Sequence, residues 1–237
     1  MGNTDTIWNI ELGTLNLKLG TWNLKPDTYI IWDWNGTLLD DVDAGVNALN
    51  KMLVARGLPT ITRDFYRANF GFPVRPFYFQ IGMNPDQEWD RICVEFHDNL
   101  HAEPQHIRPD TVAALEYVQV KGVRQSILSA LRQDLLLRDT ATEGVQDFFE
   151  KIYGVDNLDG ATKLSRGREL INALATSTST PLRLFLIGDT LHDAEVALEL
   201  GATPILIDCG HQCTDRLRTS GHTVAPNLLD AVKAVLG

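Results

Sequence analysis

Aspartates that directly follow short apolar runs come first, because a buried strand delivers the side chain at its end into whatever cleft lies beyond the sheet. In Tyr29-Ile30-Ile31-Trp32-Asp33 the acid emerges from four β-prone residues and enters the turn Trp34-Asn35-Gly36-Thr37. A carboxylate placed there projects into a cleft, while backbone amides of the Gly36-Thr37 turn can meet an anion. Leu186-Ile187-Gly188-Asp189 repeats the arrangement, and Asp193 follows four residues later, where a helix begins. Two carboxylates at neighbouring strand ends suit a hard divalent cation such as Mg²⁺, which takes oxygen ligands from one or two acids, waters and phosphate. Asp193 also reads as an ordinary helix N-cap, and the two roles can coexist. In Ser126-Ile127-Leu128-Ser129 a hydroxyl ends an apolar run and can donate to a phosphoryl oxygen. Lys163 precedes a helical stretch and can neutralise charge between a phosphate and a nucleophile.

Positioning these groups requires strands and helices in alternation. Strand patterns fall at Val123–Ser129, Lys151–Val155, Leu184–Ile187 and Pro204–Ile207, with helical patterns at Val112–Val120, Arg166–Ala175 and Asp193–Leu200 between them. That alternation predicts an α/β fold with a doubly wound, Rossmann-like parallel sheet whose ligand site lies beyond the carboxyl ends of the strands. Residues 43–106 interrupt it with helical patterns at Ala44–Arg56, Thr62–Asn69 and Asp86–Leu100. The expected organisation is therefore a core of 28–42 and 107–237 with an inserted helical cap, the chain returning through a hinge marked by Pro104 and Pro109. Residues 1–27 stand apart: Gly-Thr-Leu-Asn-Leu-Lys and Gly-Thr-Trp-Asn-Leu-Lys form a near-repeat from Gly13 to Lys25. It reads either as a hairpin or as a loose tail.

Composition narrows the partners. The 237 residues carry 21 basic and 31 acidic side chains, a net charge of −10, and this acidic surface disfavours nucleic acid. Hydrophobic residues at 44% and charged residues at 22% are those of an ordinary globular protein. No apolar run approaches the roughly 20 residues of a membrane span, and the N-terminus lacks a secretory pattern. Three cysteines are too few for a disulfide framework. A soluble, cytoplasmic protein without membrane partners is the expectation; composition says nothing of its oligomeric state.

Taken in order, Asp33-x-Asn35-Gly36-Thr37, Ser129, Lys163 and Gly188-Asp189-Thr190-x-x-Asp193 resemble the motifs of the haloacid dehalogenase superfamily. The likeness spans residues 29–237. It is closest to the phosphoglycolate-phosphatase-like branch, which Phe70-Gly71-Phe72-Pro73 and Gly210-His211-Gln212 also resemble. The resemblance implies a Mg²⁺-dependent phosphatase acting on a small phosphorylated metabolite. Asp33 would attack phosphorus to give an aspartyl-phosphate that water then cleaves. It implies a metal held by Asp33, the Asn35 backbone carbonyl, Asp189 and Asp193, with Ser129 and Lys163 stabilising the phosphoryl group. Gly36, Thr37 and Ala130 fall at its further substrate-binding positions; Arg75, in Pro73-Val74-Arg75-Pro76, reads either as reaching from the cap towards a substrate carboxylate or distal phosphate or as a surface arginine.

One position departs from the pattern. The family's phosphatases carry a second aspartate two residues after the nucleophile, to protonate the leaving group and then activate water; here it is Asn35. An amide cannot shuttle a proton, and general acid–base help is worth about 10²–10⁴-fold. Slow turnover, a substrate with a good leaving group, or a proton from His192, Asp40 or Asp41 would each reconcile Asn35 with catalysis. Phosphonoacetaldehyde hydrolase, a relative that also lacks this acid, is an alternative, but it needs a cap lysine for a Schiff base, and Lys51 is the single lysine of 43–106. A binding or regulatory protein that kept the fold and lost turnover is the alternative from another class. Cys209-Gly-His-Gln-Cys213 reads as a loop after a strand rather than a zinc site, since no second ligand pair follows.

Overall fold

A computed structural model of the chain describes residues 27–156, 163–177 and 181–237. The hairpin or tail expected for 1–27 lies, but for Asp27, outside the described residues. Six parallel strands make one sheet: β1 (Asp27–Trp32), β4 (Arg124–Arg132), β5 (Lys151–Val155), β6 (Leu182–Gly188), β7 (Thr203–Ile207) and β8 (Thr223–Ala225). Their order is β5-β4-β1-β6-β7-β8, so β1 is central, with Ile31 paired to Ser126 on one side and to Leu186 on the other.

The apolar run of β1 follows from that position. Ile30 and Trp32 enter one hydrophobic cluster, with Leu115, Val118, Ile187 and Val232, under α5 (Thr111–Val120) and α10 (Leu228–Leu236). Tyr29 and Ile31 enter the other, with Leu170, Leu174, Val196 and Leu200, under α7 (Lys163–Ser177) and α8 (Leu191–Glu199). All four strand residues are fully buried. Burying each such side chain stabilises the fold by about 1.5–3 kcal/mol relative to exposure. A polar residue at any of these positions would face one apolar layer or the other.

Between β1 and β4 the chain leaves the sheet. β2 (Leu39–Asp40) and β3 (His106–Ile107) pair antiparallel where it departs and returns. Between them lie α1 (Val42–Ala55), α2 (Arg63–Asn69), α3 (Arg75–Gln80) and α4 (Pro85–His101). These helices bury their own cluster, in which Val46, Leu49 and Leu53 of α1 meet Tyr66, Phe77, Tyr78 and Ile92. The remaining helices, α6 (Gln133–Thr142) and α9 (Thr214–Arg218), follow β4 and β7. The architecture is an α/β parallel sheet with an inserted helical cap, as periodicity predicts.

Some elements differ from the sequence reading. Helix α3 has only six residues, too short to show a helical period, and α6 carries a mostly polar face. Strand β4 runs three residues past Ser129. Lys163 is the first residue of α7 and does not precede the helix, which opens earlier than its apolar spacing indicates. Among the described residues no helix is long and apolar enough to cross a membrane.

Candidate active site

The carboxyl ends of β1 and β6 bring the acids together. Asp33 continues the register of β1, its amide donating to the Ile187 carbonyl at 2.9 Å. Asp189 directly follows β6. Asp193 sits in the first turn of α8, where Thr190 forms a capping box with it. The Thr190 amide and hydroxyl both donate to Asp193 Oδ2, at 2.9 and 2.6 Å. Carboxylate oxygens of Asp33, Asp189 and Asp193 lie within 4.8 Å of one another, and all three residues are buried. Asp193 therefore caps its helix with one oxygen and turns the other to the site.

Lys163 completes the cluster. From the start of α7 its Nζ donates to Asp33 Oδ1 at 2.6 Å and to Asp193 Oδ1 at 2.5 Å. Asp189 is held instead by the Thr37 hydroxyl at Oδ1 (2.9 Å) and the His211 backbone amide at Oδ2 (2.6 Å). Two glycines make room for it. A Cβ at Gly36 or at Gly210 would collide with the Asp189 carboxylate, and Gly36 also has φ +72°, which favours glycine.

Burial and crowding set the charges. Burial, reinforced by Asp193 and Asp189, outweighs Lys163 and pushes the Asp33 carboxyl up to about 7. Burial, with the charge of Asp193 added, likewise lifts Asp189 to about 6 against His211 and Thr37. Burial acts on Asp193 too, but Lys163 and Thr190 overcome it and hold that carboxyl below its ordinary value. Three acids around one lysine leave surplus negative charge, which a cation would relieve.

Asn35 is tied into a second network. Its amide donates to Asp41 Oδ2 at 2.8 Å, while the Gly36 amide donates to Asp41 Oδ1 at 2.7 Å. His211 Nε2 lies 3.2 Å from Asp41 Oδ1, and His211 Nδ1 is 3.0 Å from the Tyr66 hydroxyl of the cap. Burial disfavours both charges, yet each sustains the other: Asp41 stays low and His211 is raised to about 9. Of the proton sources weighed for Asn35, Asp41 is buried in this pair. Asp40 is half-exposed and pairs with Arg108 at 3.2 Å. His192 lies against the Phe72 ring, centroids 4.9 Å apart.

A cavity of about 190 Å³ joins the acid cluster to the cap interior, and Asp33, Asn35, Ser129, Ala130, Lys163, Asp189 and Asp193 line its core end. The buried Ser129 Oγ accepts from the Leu131 amide at 3.0 Å. Arg75 is not brought there. Its guanidinium pairs with Asp86 at 3.5 Å and lies over the Trp89 ring at 4.6 Å, outside the cavity lining.

Sequence reasoning missed three supporting residues. His211 was visible only inside the Gly210-His211-Gln212 stretch, with no spacing rule to assign it a partner. Arg108, 7% exposed, donates to the carbonyls of Gly36 (2.8 Å) and Thr37 (2.9 Å) and so fixes the turn after Asp33. Arg67 of α2 donates to the carbonyls of Asp208, Gly210 (2.7 Å) and Gln212 (3.1 Å), fastening cap to core. Neither arginine carries a local signal, because their acceptors are distant main-chain oxygens.

Known proteins resemble the chain over most of its length. Tyrosine-protein kinase PtkA of Mycobacterium tuberculosis is 24% identical over 214 residues, 88% of this chain and 72% of the relative. Phosphoglycolate phosphatase of Caulobacter vibrioides is 25% identical over 215 residues, 87% of this chain and 90% of that one. The crystal structure of a predicted phosphatase from Clostridium acetobutylicum superposes with a TM-score of 0.74 at 16% identity, covering 89% of this chain and 99% of its own, a likeness of fold. The family model for haloacid dehalogenase-like hydrolases matches residues 30–207. That match runs from within β1 to the last residue of β7, through core and cap alike, and the chain belongs to the haloacid dehalogenase-like hydrolase family.

Proposed function

We propose that the protein is a Mg²⁺-dependent phosphatase of small phosphorylated metabolites, with Asp33 as nucleophile. The observation that carries this reading is the buried cluster of Asp33, Asp189 and Asp193 around Lys163 at the end of the central strand. A kinase and phosphatases among the relatives share phosphoryl transfer, the level at which the cluster's chemistry speaks. The donor set fits the ion: hard oxygens only, three of them from carboxylates crowded enough that two are pushed towards neutrality without a cation. Asp33, Asp189, Asp193 and the Asn35 backbone carbonyl would hold it. When bound, it supplies Lewis-acid neutralisation of phosphoryl oxygens.

The chain's own groups do the rest. An Asp33 oxygen attacks phosphorus, and Lys163, already bonded to that carboxylate, orients it and neutralises incoming charge. Ser129 and the backbone at Ala130 position the phosphoryl oxygens, whereas the amides of Gly36 and Thr37 are committed to Asp41 and to the Trp34 carbonyl and shape the turn instead. Water then attacks the aspartyl-phosphate, restoring the carboxylate. Arg75 has no part in this reading, since it faces Asp86. The Schiff-base alternative loses its lysine: Lys51 is half-exposed and pairs with Glu103 at 2.6 Å. Phosphate release from acetyl phosphate with Mg²⁺ tests the proposal. Asp33→Asn should lower it by at least about 10³-fold, the scale for removing a nucleophile; a variant as active as wild type would refute it.

A further inference from the structure

Beyond the acid cluster the cavity is mostly apolar, with His97 the one imidazole of the cap in its lining. Its cap end is walled by Phe70, Phe72, Phe77, Tyr78, Trp89 and Phe96. The rings pack edge to face, Phe70 against Phe77 with centroids 5.6 Å apart and Tyr78 against Trp89 at 5.8 Å. No lysine or arginine of the cap lines it. Each is committed elsewhere: Lys51 to Glu103, Arg56 to Glu88 and Glu95, Arg63 to Asp43, Arg75 to Asp86, Arg91 to Glu95, and Arg67 to core carbonyls. A substrate with a carboxylate or second phosphate at its far end would meet no lysine or arginine there, only the His97 imidazole among aromatic rings, which is unfavourable.

Size limits the occupant as well. A dry apolar cavity of about 150 Å³ takes one benzene ring, and here about 190 Å³ must hold the leaving group beside the phosphoryl site. One six-membered ring fits that volume. The second, independent observation is Asn35, whose amide donates to Asp41 and offers the leaving group no acidic proton. A phenol has a pKa near 10 and leaves as the anion far more readily than an aliphatic alcohol, whose pKa is close to the 15.7 of water.

We propose that the substrates of this site are monoaryl phosphates: one uncharged aromatic ring, held among the cap aromatics, on a phosphate presented to Asp33. This rests on the phosphatase reading above. An Asp33 oxygen forms its bond to phosphorus as the phosphorus–aryl oxygen bond breaks, and the electron pair leaves on the phenolate, which takes its proton from solvent. Water then adds at phosphorus, the bond to Asp33 breaks, and inorganic phosphate and the free carboxylate result.

Phosphate release from acetyl phosphate, phenyl phosphate, 2-phosphoglycolate and isopentyl phosphate, with Mg²⁺, separates the claims. Phenyl phosphate should exceed phosphoglycolate in kcat/KM by at least about tenfold, the worth of burying one ring, and should exceed isopentyl phosphate by at least about as much because phenolate is the better leaving group. Phenylphosphonate, which cannot be hydrolysed at an ester bond, should inhibit acetyl phosphate turnover at lower concentration than phosphonoacetate by a similar factor. Phe72→Ala, altering a partly exposed wall residue, should lower phenyl phosphate turnover more than acetyl phosphate turnover. If acetyl phosphate is cleaved but phosphoglycolate or isopentyl phosphate is preferred, the aryl proposal falls and the phosphatase reading stands. If acetyl phosphate is not cleaved, both fall.

Discussion

At Asn35 one side-chain atom separates this site from that of a general acid–base phosphatase. The amide sits 2.8 Å from Asp41, whose charge is sustained by His211. Asn35→Asp would set a second carboxylate against that charge, and like-charge repulsion would raise the new acid's pKa and keep it protonated near neutrality. A general acid needs that state. The variant should therefore raise hydrolysis of an alkyl phosphate by about 10²-fold, with less gain for acetyl phosphate, whose leaving group needs no proton. The measurement is kcat on both substrates across pH; equal gains would place the effect elsewhere. The same repulsion should cost stability above the pH at which the new acid ionises.

Strands β1, β4, β6 and β7 were legible because their apolar runs report burial, and Lys151–Val155 is delimited by pattern alone, but β8, three residues at the sheet edge, was not read. The helices α1, α4, α5 and α8 were legible because their apolar stripes repeat at helical spacing. Helix α3 and the β2–β3 pair were not: six residues and two residues are shorter than the periods that reveal them. Of the site, Asp33 and Asp189 could be read from strand ends, and Lys163 and Asp193 from the starts of helical stretches, in chain order. Arg75 could not be placed, since an arginine in a short helix faces whichever acid or ring tertiary packing supplies. The cap–core junction was also hidden. There Arg67 meets three carbonyls of 208–212, and Gln212 and Arg216 both donate to the Phe70 carbonyl. Arg67→Ala should leave those carbonyls short of donors at a cost of about 1–3 kcal/mol. Hydrogen exchange should quicken in α2 and around 208–212 before it changes in β1 or β6; uniform acceleration across the sheet would contradict a local fastening.

Over the whole molecule, the buried charges make stability depend on pH in a stated direction. Asp33 and Asp189 hold protons up to about 7 and about 6 when folded, against an ordinary 3.8. His211 holds its proton to about 9 against 6.5. In each case the folded state binds more protons, so the stabilisation is present below the ordinary value and is lost as pH rises through the folded one. Metal-free protein should thus lose Tm steadily from about pH 5 to about pH 9. Mg²⁺ favours the ionised carboxylates, so its stabilisation should be larger near pH 8 than near pH 5; a Tm increment independent of pH would count against the cluster as its site. The glycines beside Asp189 carry this further. Gly36 and Gly210 press main chain against that carboxylate, and all three acids line the cavity that the cap aromatics also wall. On the proposed reading a cation and a substrate ring would share this cavity, so a bound ring should slow exchange of the ion.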